Sequence, residues 1–131
     1  MLLFLDVIAP IPEFCVIDDN KVILKEKIIQ NETDRLSDNI IQSYIEIDKR
    51  LNLTQNLKKI STTIGPGSYT SLRVGSAVIS GLMISRNIPY YPLSIEDILN
   101  FNSIKYSKKN LAVFITSSNM QKFLCYKIKD N

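Results

Sequence analysis

Residues 60–86 constrain the fold of this chain more than any other stretch. The run Ile60–Ile64 is β-branched at four of its five positions, which favours a buried strand. Gly65-Pro66-Gly67 then ends that strand, because proline lacks an amide donor and glycine admits positive φ. From Leu72 to Ser85 there is no proline, so a helix can follow. The hydroxyls that can cap its first amides belong to Ser68, Thr70 and Ser71.

The predicted helix carries charge only at its ends, so both of its long faces are uncharged. One face contains Val74, Ala77, Val78, Gly81, Leu82 and Ser85, and the opposite face contains Gly75, Ser76, Ile79, Ser80, Met83 and Arg86. A domain of this size can cover only one face with its own sheet, so a second body is expected to cover the other. The alternative is that this is simply a central core helix.

The rest of the pattern predicts a single α/β domain over residues 1–131. Leu2–Ile8, Glu13–Ile17 and Val22–Ile29 are predicted to form an antiparallel meander. The next segment, 38–51, has a helical stripe of Ile40, Tyr44, Ile47 and Leu51, which Ile41 and Ile45 widen. After the central strand and helix we expect a parallel strand Tyr90–Leu93, a short helix from Ser94 to Phe101, a polar segment Asn102–Asn110 and a hairpin of Leu111–Thr116 and Lys122–Lys129. This is the order of a ribonuclease H-like fold, with a mixed five-stranded sheet.

Composition excludes several kinds of catalytic site. The chain contains no histidine, whereas Ser-His-Asp and Cys-His pairs, His-ligated zinc and HExxH sites all need an imidazole. Cys15 and Cys125 form no CxxC motif, so we expect small core residues in a reducing compartment. The apolar start lacks a basic lead and a cleavage site, and no run reaches the length of a membrane span, so we expect a cytoplasmic protein.

The net charge of +3 is too small to indicate a nucleic-acid binder. Basic residues are nevertheless concentrated near the C-terminus, at Lys105, Lys108, Lys109, Lys122, Lys127 and Lys129. We interpret them as solvated surface, and the alternative is a patch that contacts tRNA.

Two positions suggest a phosphate or metal site. The glycine turn lacks the Gly-Lys-Ser/Thr ending of a Walker A loop, and Thr70 stands where a dinucleotide fingerprint has its third glycine. Arg73 is expected to pair with a phosphate or with an acidic group on a partner or on its own chain. Asp6 ends the first strand, where ribonuclease H-like nucleases hold a metal-binding carboxylate. No second carboxylate converges on it, since Asp18 and Asp19 belong to a solvent turn.

The stretch from Gly65 to Gly75, GPGSYTSLRVG, resembles the signature GPGSFTGLRIG of the TsaB family, also called YeaZ. Eight of the eleven positions are identical and two more are conservative, and Ser71 stands where the family has glycine. Leu3–Asp6, Ile88–Pro89 and Leu93–Glu96 are similar to further family segments. The signature loop residues are Gly65, Pro66, Gly67, Ser68, Tyr69, Thr70, Arg73 and Gly75.

The resemblance implies half of an actin-like (ASKHA) fold and a role in bacterial tRNA N6-threonylcarbamoyladenosine modification. TsaB looks like a non-catalytic scaffold that forms a heterodimer with a TsaD-type transferase through its helices, with a TsaE-type ATPase as a further partner. In isolation a homodimer and a monomer both stay open, and tRNA is expected to be contacted only indirectly or weakly. Asp6-Val7-Ile8-Ala9 departs from the family's Asp-Thr-Ser phosphate motif. We therefore expect Asp6 to be a vestigial phosphate position, with no catalytic residue, cofactor or metal.

The partner interface is predicted at Ile41, Ile45, Ser76, Ile79, Ser80 and Met83. Within the domain, residues 1–101 are expected to form the body and residues 110–131 a hairpin that begins a truncated second lobe. The alternative function is an actin-like or ribonuclease H-like enzyme that binds ATP or a divalent metal, including the glycoprotease activity formerly attributed to this family.

Overall fold

The polypeptide builds one mixed sheet from strands that are distant in sequence. The computed structural model describes residues 1–31, 33–107, 110–117 and 120–127. In order, the elements are β1 (Leu2–Asp6), β2 (Glu13–Asp18), β3 (Lys21–Lys27), α1 (Leu36–Leu51), α2 (Leu53–Asn56), β4 (Lys59–Thr63), α3 (Tyr69–Arg86), β5 (Tyr90–Leu93), α4 (Ile95–Tyr106), β6 (Asn110–Ser117) and β7 (Met120–Lys127).

The five-stranded sheet has the order β3-β2-β1-β4-β5. β1 pairs antiparallel with β2 and parallel with β4, and β4 pairs parallel with β5. β2 pairs antiparallel with β3, while β6 and β7 form a separate antiparallel hairpin. The predicted α/β, ribonuclease H-like arrangement is therefore confirmed, and so is the terminal hairpin. Residues 128–129 of its predicted second strand lie outside the described residues.

Element ends differ from the predicted ones mainly at two places. The segment between α1 and β4, for which the sequence pattern predicts no element, contains the short helix α2, and α4 continues to Tyr106 instead of ending at Phe101. The reason for the longer α4 is a buried stripe at four-residue spacing, Ile95, Leu99 and Ser103. Its third member is a serine, so the hydrophobic pattern does not show that the helix continues.

Local capping fixes the start of α4, as the spacing of Ser94 and Asp97 predicts. The Ser94 hydroxyl accepts a hydrogen bond from the Asp97 amide at 3.0 Å, and the Asp97 carboxylate accepts from the Ser94 amide at 2.9 Å. The hydroxyl of Ser94 also donates to this carboxylate. Hydrogen bonding from the Ser94 side chain and backbone lowers the pKa of Asp97. This reciprocal capping box satisfies amides that the first turn of the helix leaves free.

The two outer strands differ in how they resist further pairing. β3 carries exposed lysines at positions 21, 25 and 27, and β5 contains Pro92, which has no amide hydrogen to donate.

One face of the sheet packs against α1 and α3. Leu3 and Leu5 of β1, Ile60 of β4, Ile47 of α1 and Ile79 of α3 are all at most 3% exposed and belong to the same cluster. The central strand β4 also buries polar side chains, and the Thr62 hydroxyl donates to the Leu5 carbonyl at 2.7 Å. The described residues contain no buried side-chain nitrogen or oxygen without a hydrogen-bond partner.

The face of α3 that meets the sheet includes two of the residues expected to meet a partner. Gly75 and Ile79 are buried, and a Cβ at Gly75 would lie 2.7 Å from Val7 Cγ1 and 3.6 Å from Leu5 Cδ2. Met83 is half-buried against the same core. The interface prediction was therefore wrong for Ile79, which is 3% exposed, and Met83 lies largely on the sheet side. The close approach that Gly75 permits decides the orientation, and an uncharged helix gives no signal of it.

We expect opposite effects from adding one methyl group at the two glycines of α3. Gly81→Ala should raise the free energy of unfolding by about 0.5–1 kcal/mol through helix propensity, since its Cβ would have nothing within 4 Å. Gly75→Ala should lower it by about 1–2 kcal/mol, because the clash with the stiff Val7 side chain outweighs the same propensity gain. Urea unfolding measures both. Equal stabilisation of the two variants would contradict the packing described for Gly75.

Candidate functional site

Asp6 lies at the carboxyl end of β1 and binds the loop that follows it. Its Oδ1 accepts hydrogen bonds from the amides of Ile8 and Ala9, each at 3.1 Å, and from the Thr63 hydroxyl at 3.2 Å. The Thr63 oxygen accepts in turn from the Val7 amide at 3.1 Å. Thr63 is 1% exposed. The carboxylate therefore links the ends of the parallel strands β1 and β4. It also holds the loop between β1 and β2 through the backbone amides of that loop.

The side chains of this loop occupy the space next to the glycine turn. A Cβ at Gly67 would lie 2.6 Å from Ile8 Cγ2. Val7, which is 2% exposed, packs against Gly75 in the same way. An anion-binding loop instead presents unpaired amides to its ligand. Here the amides of Ile8 and Ala9 already donate to Asp6, so the arrangement is suited to joining β1, β4 and α3.

The glycine turn itself connects three elements. Gly65 has φ of +100°, which L side chains rarely adopt. Its carbonyl accepts from the Ile95 amide of α4 at 3.3 Å. Ser68 is the N-cap of α3, as its position predicts, and its hydroxyl accepts from the Ser71 amide at 3.4 Å. The signature residues therefore position α3 relative to β4 and α4.

Other polar groups named from the sequence lie apart from Asp6. Asp18 forms an ion pair with the N-terminal amine at 3.6 Å, and Asp19 has φ of +45° in the turn before β3. Cys15 is buried, and burial raises the pKa of its thiol. Among the described residues no three His, Cys, Asp or Glu side chains form a group that could hold a metal. The side chain of Cys125 and five of the six C-terminal lysines, all but Lys105, lie outside the description.

An apolar groove between α1 and α3 is the second feature of functional interest. Its volume is about 370 Å³, and it is lined by Ile41, Tyr44, Ala77, Val78, Gly81 and Leu82. The groove exists because the α3 residues at positions 77 and 81 are small. Its Tyr44 wall is fixed in position, since the Tyr44 hydroxyl bonds the Thr54 hydroxyl at 3.0 Å and the ring contacts Phe14 edge-on at a centroid distance of 6.3 Å.

The predicted interface residues fall into two groups around this groove. Ile41 is 53% exposed and Ile45 is 39% exposed, and Ser76 and Ser80 are also exposed. These four lie on the outer surface of α1 and α3, while Ile79 and Met83 face the sheet. Val78 and Leu82, which the sequence places opposite Ile79, line the groove and also pack against the core, whereas Ala77 and Gly81 are exposed. The small residues Ala77 and Gly81, one turn apart, were the available signal for a groove.

The sheet order β3-β2-β1-β4-β5, with helices packed on it, defines the class of protein: one ribonuclease H-like half of an actin-like fold. In this chain its own side chains occupy the region beside Asp6. Residues 24–130 match the family model described as TsaD, tRNA N6-adenosine threonylcarbamoyltransferase. The match covers more than half of the chain, and the protein therefore belongs to this family.

Two solved structures share the fold. YeaZ from Pseudomonas aeruginosa is 17% identical with a TM-score of 0.72, and the alignment covers 98% of this chain and 60% of that one. A Pseudomonas aeruginosa protein described as similar to the peptidase YeaZ is 20% identical with a TM-score of 0.67. Its alignment covers 98% of this chain and 59% of that protein. The resemblance to YeaZ is confirmed for the fold, and the chain spans about 60% of the length of these relatives. No curated protein matches the sequence. Across the described residues, no helix is both long and apolar enough to traverse a bilayer.

We expect Asp6 to act on stability through its hydrogen bonds. Asp6→Ala should lower the free energy of unfolding by about 2 kcal/mol, because two loop amides and the Thr63 hydroxyl lose a charged acceptor. Asp6→Asn keeps an oxygen in the Oδ1 position and should lose less than half as much. Urea unfolding of the two variants checks this order. If both variants were as stable as the original protein, the linking role of Asp6 would be excluded.

Proposed function

We propose that this chain is a non-catalytic partner subunit in tRNA N6-threonylcarbamoyladenosine modification, acting in the cytoplasm. On this proposal it pairs with a TsaD-type transferase through the outer surface of α1 and α3. Membership of a family described by that reaction supports the pathway. The single observation that carries the partner role is the exposed apolar groove between the two helices.

The groove has the properties of a site that receives a helix. Its lining is apolar, the α3 side is formed by small residues, and Ile41 and Ile45 extend it with exposed aliphatic surface. Small side chains let helix axes approach to the lower end of the usual 8–10 Å range. A paired interface of standard size buries roughly 800 Å² on each partner, and two adjacent helices of 16 and 18 residues offer a surface of that scale.

The closed loop at Asp6 supports the non-catalytic part of the proposal. A nucleotide phosphate placed beside β1 would need loop amides, and those of Ile8 and Ala9 donate to Asp6 instead. The side chain of Ile8 also contacts the glycine turn. These contacts favour a binding subunit over an enzyme that uses ATP or a divalent metal. The TsaE-type ATPase, a homodimer and contact with tRNA stay predictions.

Ile41→Arg should prevent pairing with the TsaD-type transferase encoded by the same genome, because a guanidinium would have to be buried in the apolar groove. Ile104→Arg is the matched control, since Ile104 is 81% exposed on α4. Analytical gel filtration of equimolar mixtures should show a complex for the original chain and for the control, and none for Ile41→Arg. A complex that tolerates Ile41→Arg would exclude the groove as the interface.

Mg-ATP should leave the melting temperature of the isolated chain unchanged. A ligand at 100 times its dissociation constant would stabilise the fold by about 2.7 kcal/mol, which is easily seen in a thermal shift assay. An actin-like ATPase treated in parallel provides the positive control. A clear upward shift that Asp6→Asn removes would favour the enzymatic alternative.

A further inference from the structure

Arg73 is held on the outside of α3 by an aromatic contact. Its guanidinium carbon lies 5.4 Å from the centroid of the Tyr69 ring. Tyr69 is itself 73% exposed, and Arg73 is also exposed. A cation over an exposed aromatic face contributes only about 0.5–1 kcal/mol. The contact limits the rotamers of both side chains, so less conformational entropy remains to be lost if a third group binds there.

The guanidinium has no acidic partner within the part of the chain that the structure describes. The ion pairs found there join other groups: the N-terminal amine with Asp18, Lys25 with Glu13, and Arg50 with Glu26. Helix α3 contains no acidic residue between Tyr69 and Arg86. The sequence left open that Arg73 pairs with an acidic group on its own chain. No such pair is found among the described residues.

Arg73 belongs to an outer stripe of α3 that adjoins the groove. The stripe consists of Arg73, Ala77, Ser80 and Ile84. Its spacing of four, three and four residues is that of a helix seam in coiled-coil packing. Ala77 also lines the groove, and Ile84 is 86% exposed. A helix lying in the groove and along this stripe would pass close to Arg73 at one end and Ile84 at the other.

We infer that Arg73 is the polar anchor of the α1/α3 docking surface and pairs with a carboxylate on a helix of the partner protein. This inference rests on the proposed function and specifies the chemistry of the partner. Arg forms bidentate hydrogen bonds with carboxylates. Tyrosine and arginine are also the side chains most enriched among those that dominate binding energy at interfaces.

A second copy of this chain is the alternative occupant of this surface. β3, β1, β4 and β5 run in the same direction, so α1 and α3, which return between them, are parallel to each other. Antiparallel pairing of two copies would bring Arg73 toward the end that carries Lys49 and Arg86, which repel it, and also Glu46 and Asp48, which attract it. Parallel pairing would bring it toward Asp38 at the start of α1, and the experiment tests both arrangements.

The test is titration calorimetry of the full chain with the purified TsaD-type transferase of the same genome. Arg73→Ala should weaken binding about tenfold or more. The matched control is Arg86→Ala, which removes an exposed arginine from the sheet side of the same helix and should change binding less than twofold. The loss caused by Arg73→Ala should shrink at 0.5 M NaCl, because salt screens an exposed ion pair. Binding by Arg73→Glu should be restored when the facing partner carboxylate is changed to lysine.

The outcomes separate this inference from the proposed function. If the original chain binds and Arg73→Ala binds equally well, the anchor is excluded while the partner role stands. If the original chain does not bind the transferase, both are overturned. If the chain forms a homodimer that Arg73→Glu dissociates, and that adding Asp38→Lys (parallel pairing) or Asp48→Lys (antiparallel pairing) restores, the occupant is a second copy and the inference fails.

Discussion

The approach of α3 to β1 at Gly75 is the contact on which the rest of this face depends. Val7 occupies the space that a side chain at Gly75 would need, so α3 lies directly on the sheet along Gly75 and Ile79. The opposite side of α3 is therefore turned outward beside α1, and the small residues Ala77 and Gly81 leave the groove open. One close contact inside the core thus determines which residues are available on the surface.

The hydrogen bonds of the Asp6 carboxylate hold the loop between β1 and β2 in place. The carboxylate accepts hydrogen bonds from two backbone amides and a threonine hydroxyl. Part-buried polar groups of this kind need a hydrogen-bond partner within the protein, in water or on a ligand. Because the chain supplies the acceptor itself, the ends of β1 and β4 are joined without a bound anion. The carboxyl end of β1 is therefore part of the framework that supports α3.

Most of the fold followed from the sequence, whereas the orientation of its central helix did not. Pro-Gly breaks, β-branched runs and helical periodicity placed the strands and the helices α1 and α3 within a few residues, because these features act locally. The resemblance around Gly65–Gly75 indicated a YeaZ-like fold, which the structure shares. The two faces of α3 are equally uncharged, so only the tertiary contact of Gly75 with Val7 distinguishes them. Likewise, the hydrogen bonds of Asp6 to Ile8 and Ala9 could not be predicted from the sequence, because they depend on the conformation of the loop.

The outer strands of the sheet carry features that oppose pairing with another strand. β3 presents Lys21, Lys25 and Lys27, whose charges oppose the close approach of another strand, and Pro92 interrupts the donors of β5. Both features disfavour pairing between the edge strands of two copies. A molecule built in this way can expose the apolar groove between α1 and α3 while its sheet edges resist pairing with the edges of other copies.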